Sequence, residues 1–261
     1  YKASRPEIQA ADEFNRSCGN VAREHSIVLG CYTRQRFFVY DVKDERLAGA
    51  KEVTAAHELL HAVYERLSTA QRAALDRELT RAAEAIEDER FKSTIAQYRQ
   101  SEPDQLANEY HSILGTEIAV LPENLEAHYR KYFNNRQKIV GYAKQYESAF
   151  TTLENQIQDY DSRLAALRTQ KDRLEASLSD QQVAIEAEQK RLAALRAENN
   201  VSEYNAAVPP FNAKVQAYND DVNRLKRIVA DYNDLVGKRN AVATTQNNLV
   251  QQLDSKYQPL D

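Results

Sequence analysis

VTAAHELLHAVYERLS, residues 53–68, is where the chain changes its period. Upstream, residues 1–50 carry Pro6, Gly19, Gly30 and Gly49 around two apolar runs, SIVLGCY (26–32) and RFFVYDV (36–42), which predict two short strands. From Lys51 onward, Val53, Leu60 and Leu67, with Ala56, Val63 and Tyr64, fall on faces that a helical repeat can bury. The quoted stretch is therefore predicted as an amphipathic helix. On it His57 and His61 lie four apart and share a face, so they can offer two imidazole nitrogens to one metal ion.

The helical pattern continues. Ser68–Thr69 caps a second helix predicted over 70–99, and Pro103 and Gly115 bracket a third over about 104–114. Between Pro122 and Pro209 there is no proline and only Gly141, which predicts a long helix leaving the head. Its stripe of Tyr129, Tyr132, Phe133, Tyr142 and Tyr146 reads as packing at helical spacing. From Leu153 the seam becomes a heptad: Ile157, Tyr160, Leu164, Leu167, Lys171, Leu174, Leu178, Gln181, Ile185, Glu188, Leu192 and Leu195. AENNVSEYNAAVPPFN interrupts it. The alternation then resumes through Phe211, Val215, Tyr218, Val222, Leu225, Val229, Tyr232 and Val236, fading toward Leu253 and Tyr257. Two arms of similar length around one break predict an antiparallel hairpin. Lys171, Gln181 and Glu188 in the seam mark where one arm meets polar residues of the other.

Composition narrows the function. A net charge of −4 from 35 basic and 39 acidic residues, well interspersed, supplies no basic block for phosphates, so nucleic acid is not an expected partner. No run of eighteen apolar residues exists to span a membrane. The chain opens at Tyr1 and holds no Met, from which we expect a start removed ahead of it, with any signal or anchor. Cys18 and Cys31, the only cysteines, can pair; a disulfide there would imply an oxidising compartment, and two free thiols are the alternative.

Glu58 lies between the two histidines, beside the metal without joining it. There a carboxylate can take a proton from a metal-bound water, the chemistry for cleaving an amide. HELLH together with Thr54, Ala55, Ala56, Leu59, Leu60, Ala62 and Val63 resembles the zincin metallopeptidases. The metzincin continuation is absent: Tyr64 and Leu67 hold the positions of its glycine and third histidine. The remaining pattern is that of the gluzincins, which supply a glutamate ligand from a later helix, often as Asn-Glu-x-x-Ser/Ala-Asp. NEYHSI (108–113) is similar at Asn108, Glu109 and Ser112 but has Ile113 where the family often has an aspartate that orients a zinc histidine. The resemblance implies Zn2+ held by His57, His61 and Glu109, with Glu117 and His111 as alternative third ligands and Glu58 as general base and acid.

It also implies an edge strand beside the active-site helix, for which RFFVYDV is the best match, and a His or Tyr donor near the oxyanion, for which His111, His128, Tyr110 and Tyr129 are candidates. His25 lacks a partner at metal spacing. The expected fold is mainly α with an α+β head: a small zincin-like domain with a short sheet over 1–135, then a helical coiled-coil hairpin arm over 136–261 with its turn near 199–210. The expected function is a zinc endopeptidase acting on a peptide or protein, with the arm as docking, spacer or oligomerisation element for a protein partner or self-association. The alternative is a structural or interaction protein with an inactive zinc-binding head. An extracytoplasmic or cell-envelope location follows from the cysteine pair and the expected lost anchor.

Overall fold

The computed structural model describes residues 5–19, 28–33 and 35–256; His25, Tyr257 and the first residues of SIVLGCY lie outside them. The elements run β1 (Glu7–Gln9), α1 (Ala11–Cys18), β2 (Gly30–Thr33), β3 (Arg36–Tyr40), α2 (Ala50–Glu65), α3 (Thr69–Glu84), α4 (Glu89–Ser101), α5 (Leu106–Thr116), α6 (Glu123–Tyr129), α7 (Arg136–Ala197) and α8 (Val201–Leu253). The fold is mainly α with a small sheet. It divides into a head, which extends to Thr152 and takes in the chain again from Gln246, and an arm, Leu153–Thr245.

In the head the sheet order is β1-β3-β2, with β1 parallel and β2 antiparallel to β3. RFFVYDV therefore supplies the central strand and not the expected edge. The reason is visible in its side chains: Phe37, Phe38 and Val39 are buried in succession, so both faces are covered, which suits a strand paired on each side. The outer strands are β1 and β2; among the described residues no strand pairs with the free edge of β2, which the Cys18–Cys31 disulfide ties to α1. Asn15 on α1 in turn exchanges two hydrogen bonds with Ser255, just past the end of α8.

The helical core gathers around α5, which is buried from Glu109 to Thr116. Leu60 of α2, Leu79 of α3, Leu125 and Tyr129 of α6 and Leu114 of α5 are fully enclosed in one cluster. Gly115 makes the close approach feasible, since a Cβ there would sit 2.4 Å from Leu60 and 2.7 Å from Tyr129. Two of the predicted helices are each divided. The span 70–99 breaks into α3 and α4 because Asp88 caps a new start, its carboxylate accepting from the Phe91 N–H at 2.8 Å. The long helix predicted to leave the head begins only at Arg136, after α6 has ended. Arg136, 4% exposed, fastens that corner by donating to the carbonyls of Leu114, Ile118 and Ala119 and to both oxygens of Glu126.

The arm is an antiparallel helical hairpin. Gln181 donates to Asp221 at 2.7 Å, Glu188 pairs with Lys214 and Asp161 with Arg239, so the partner's number falls as one's own rises. Gln181 and Glu188 thus meet polar partners across the seam, whereas Lys171 pairs with Asp172 and Glu175 on its own helix. The chain turns over 198–200, where Asn199 takes a left-handed conformation (φ 54°) and the Asn200 side chain caps α8. Pro209 and Pro210 stand inside α8; the carbonyls they leave without a helical donor belong to Asn205 and Ala206, both exposed residues. On the return arm the seam runs through Tyr218, Val222, Leu225, Ile228 and Leu235, so Ile228 and Leu235 displace the expected Val229 and Val236, and Val229 is 38% exposed.

Candidate metal centre

His57 and His61 occupy one stripe of α2, and α5 crosses beside it with Glu109 facing them. The Nε2 atoms of His57 and His61 lie 3.6 Å from Oε2 and Oε1 of Glu109 respectively. That is too long for direct hydrogen bonds and close to the separation of about 3.4 Å between two donors that share a tetrahedral ion at 2.0–2.2 Å. The two imidazoles stand edge to face, their centres 4.6 Å apart. Among the described residues these three side chains form the group that can hold a metal ion. Glu109 is 6% exposed, yet its Oε2 has no hydrogen-bond partner, an orphaned carboxylate oxygen of the kind an ion satisfies.

Electrostatics agree with that use. Burial pushes the Glu109 carboxyl up, but contact with His57, the field of His61 and a hydrogen bond from Tyr98 outweigh it, and the group lies below the usual carboxylate range. It is a carboxylate at neutral pH, as a ligand must be.

The trio opens into a cleft of about 540 Å3 whose walls belong to the head. One wall is β2. Its hydrogen bond from Tyr40 N–H to the Leu29 carbonyl and its register Cys31↔Phe38 set the pairing phase, so the backbone groups of Gly30 and Tyr32 point away from β3 to the free edge. Gly30 crosses directly over α2: a Cβ would lie 2.5 Å from Thr54 Cγ2 and 2.8 Å from Glu58 Cγ. Glu58 is consequently enclosed beneath the strand while still lining the cleft. Another part of the lining is α4, which presents Arg90, Thr94 and Tyr98 at helical spacing, and Tyr146 of α7 lines the cleft as well. Burial, above all, drives the Tyr146 hydroxyl up to about 12, so it is a neutral donor at working pH.

The remaining sequence candidates are placed elsewhere. Glu117, at the end of α5, lines the cleft but binds Arg90 at 2.8 Å, apart from the trio. His111 is fully buried on another face of α5. Its Nδ1 donates to the Leu60 carbonyl at 3.2 Å, which leaves Nε2 to accept from His128 Nε2–H at 2.8 Å. Burial, with the neighbouring charges, pushes His111 down to about 3 and His128 to about 4, so both are neutral. Tyr129 is also fully buried and donates to the His111 carbonyl, and Tyr110 packs in the helical core. None of these four lines the cleft. Tyr98, Arg90 and Tyr146 were not singled out for it by sequence; the signal available was the polar stripe Arg90, Thr94, Tyr98, Glu102 at steps of four.

Comparison with protein-family models, with curated proteins and with solved structures gave no match.

Proposed function

We propose that this protein is a zinc-dependent endopeptidase of gluzincin type. The observation that carries the reading is the convergence of His57, His61 and Glu109 on one point of an open cleft, with Glu58 beside them beneath the free edge of β2. Two imidazoles and one carboxylate are the donor set of a catalytic zinc, which keeps a fourth position open. When bound, zinc supplies the positive charge that acidifies a water and polarises the scissile carbonyl.

The chain's own residues would do the rest. The free N–H and C=O groups of Gly30 and Tyr32 pair with an extended peptide laid along β2, which fixes its height over α2. Glu58 takes a proton from the attacking water and returns it to the leaving amine. The Tyr146 hydroxyl is a fixed donor at the cleft wall. The hairpin serves as a docking, spacer or oligomerisation arm. The Cys18–Cys31 disulfide favours an extracytoplasmic setting, since such bonds persist in oxidising compartments.

The test is cleavage of a mixed peptide library by zinc-loaded protein alongside Glu58→Gln. Cleavage by the wild type, with Glu58→Gln retaining zinc and losing turnover, is the expected result. A zinc-loaded wild type that cleaves no member of the library would favour an interaction protein with a metal-stabilised head.

A further inference from the structure

Metal ligands need partners of their own. An imidazole that gives Nε2 to an ion must carry its proton on Nδ1, and a carboxylate must be held so that one oxygen faces the ion; losing such a partner costs about 10–100-fold in affinity. The aspartate of the related pattern is missing here, because position 113 is an isoleucine enclosed at 4% exposure among Leu60, Leu79 and Leu114. One residue earlier, fully buried Ser112 places Oγ 3.2 Å from His61 Nδ1. Tyr98 of α4 lines the same cleft as Glu109 and is one of the groups that lower its carboxyl, whose Oε2 has no hydrogen-bond partner.

We propose that Ser112 and Tyr98 are the positioning residues of the metal centre. Ser112 accepts the Nδ1 proton of His61 and so turns the Nε2 lone pair toward Glu109. Tyr98 donates to Glu109 and leaves Oε2 to the ion. A turn of helix links the first function to the chain: Ser112 lies three residues after Glu109 on α5, so one helix supplies both a ligand and the group that orients another. Both partners are neutral, and the site therefore binds its ion without the extra negative charge that an orienting aspartate brings.

The inference rests on the metal reading of the trio and not on peptide cleavage. It is tested on the full chain, stripped with a chelator and titrated with zinc against a chromophoric competitor, together with the visible spectrum of the Co2+-loaded protein. Ser112→Ala and Tyr98→Phe are each expected to weaken zinc by about tenfold or more and to shift the cobalt bands, with the melting temperature of the metal-free protein unchanged. Thr116→Val, which deletes a buried hydroxyl on α5 that bonds the Ser112 carbonyl and touches no ligand, should leave the affinity unchanged. Affinities within twofold of wild type and unaltered cobalt bands in Ser112→Ala and Tyr98→Phe overturn the assignment and leave the three ligands standing. A wild type that takes up no zinc overturns the trio itself.

Discussion

Replacing Gly30 by alanine tests whether β2 lies on the metal-site helix as described. The added methyl would meet Thr54 Cγ2 at 2.5 Å, Glu58 Cγ at 2.8 Å and Glu58 Oε1 at 2.9 Å. Ordinary carbon contacts are about 3.5–4.0 Å, so β2 or the Glu58 side chain must retreat by about 1 Å. Overpacking of that kind costs about 1–3 kcal/mol. For a domain of this size that lowers the melting temperature by roughly 3–9 °C. On the proposed function, displacing Glu58 by about 1 Å also lowers turnover on the order of a hundredfold, while zinc stays bound because no ligand has moved. Thermal unfolding, zinc content and peptide turnover would be measured for Gly30→Ala, Thr54→Ser and the double variant. Thr54→Ser deletes the closest methyl, so the double variant should recover part of the lost stability. A Gly30→Ala protein as stable and active as wild type, or a double variant that recovers nothing, would refute the placement of β2 over Thr54 and Glu58.

Two further outcomes follow from buried charge. His111 and His128 titrate well below the ordinary histidine range in the folded head, so the unfolded chain binds their protons first. The stability they contribute is present above pH 6.5 and lost as pH falls toward 4; denaturant unfolding in chelator should show a loss of up to about 1.4 kcal/mol per pH unit for each, and a flat profile from pH 7 to 5 would contradict their neutral pairing. Arg136→Ala should cost about 3–5 kcal/mol, because it strands the partly buried Glu126 and three carbonyls; a loss below 1 kcal/mol by denaturant titration would show that the corner is held by packing alone.

How much of this was legible in the sequence varied with the kind of signal. The α2 helix and the His57, His61 pair were readable because both rest on local spacing, and Glu109 because Asn108 and Ser112 accompany it. The division of α3 from α4 is masked in the sequence, although Asp88 ahead of a helical run is a capping signal, because the surrounding Ala, Arg and Glu favour helix on either side. RFFVY is central and not the expected edge, and its unbroken apolar run, three consecutive buried residues, is the mark of a strand covered on both faces. His111 and His128 looked chemically able, and only tertiary packing shows them paired with each other beneath Leu60. Tyr98 was invisible in the opposite sense. It stands eleven residues before Glu109, and nothing local says that α4 folds back to bring it into the same cleft. The return seam holds through Val222 and Leu225 and slips after them, because Val229 and Val236 match the heptad as well as Ile228 and Leu235 do, and the choice is made by the facing arm.

Metal content decides whether His57, His61 and Glu109 hold one ion. Elemental analysis of zinc-supplied, desalted protein would compare the wild type with His57→Ala, His61→Ala, Glu109→Ala and Glu117→Ala. About one zinc per chain is expected in the wild type and in Glu117→Ala, none in either histidine variant and a sharp loss in Glu109→Ala. A wild type without zinc, or a Glu117→Ala loss with Glu109→Ala unaffected, would contradict it.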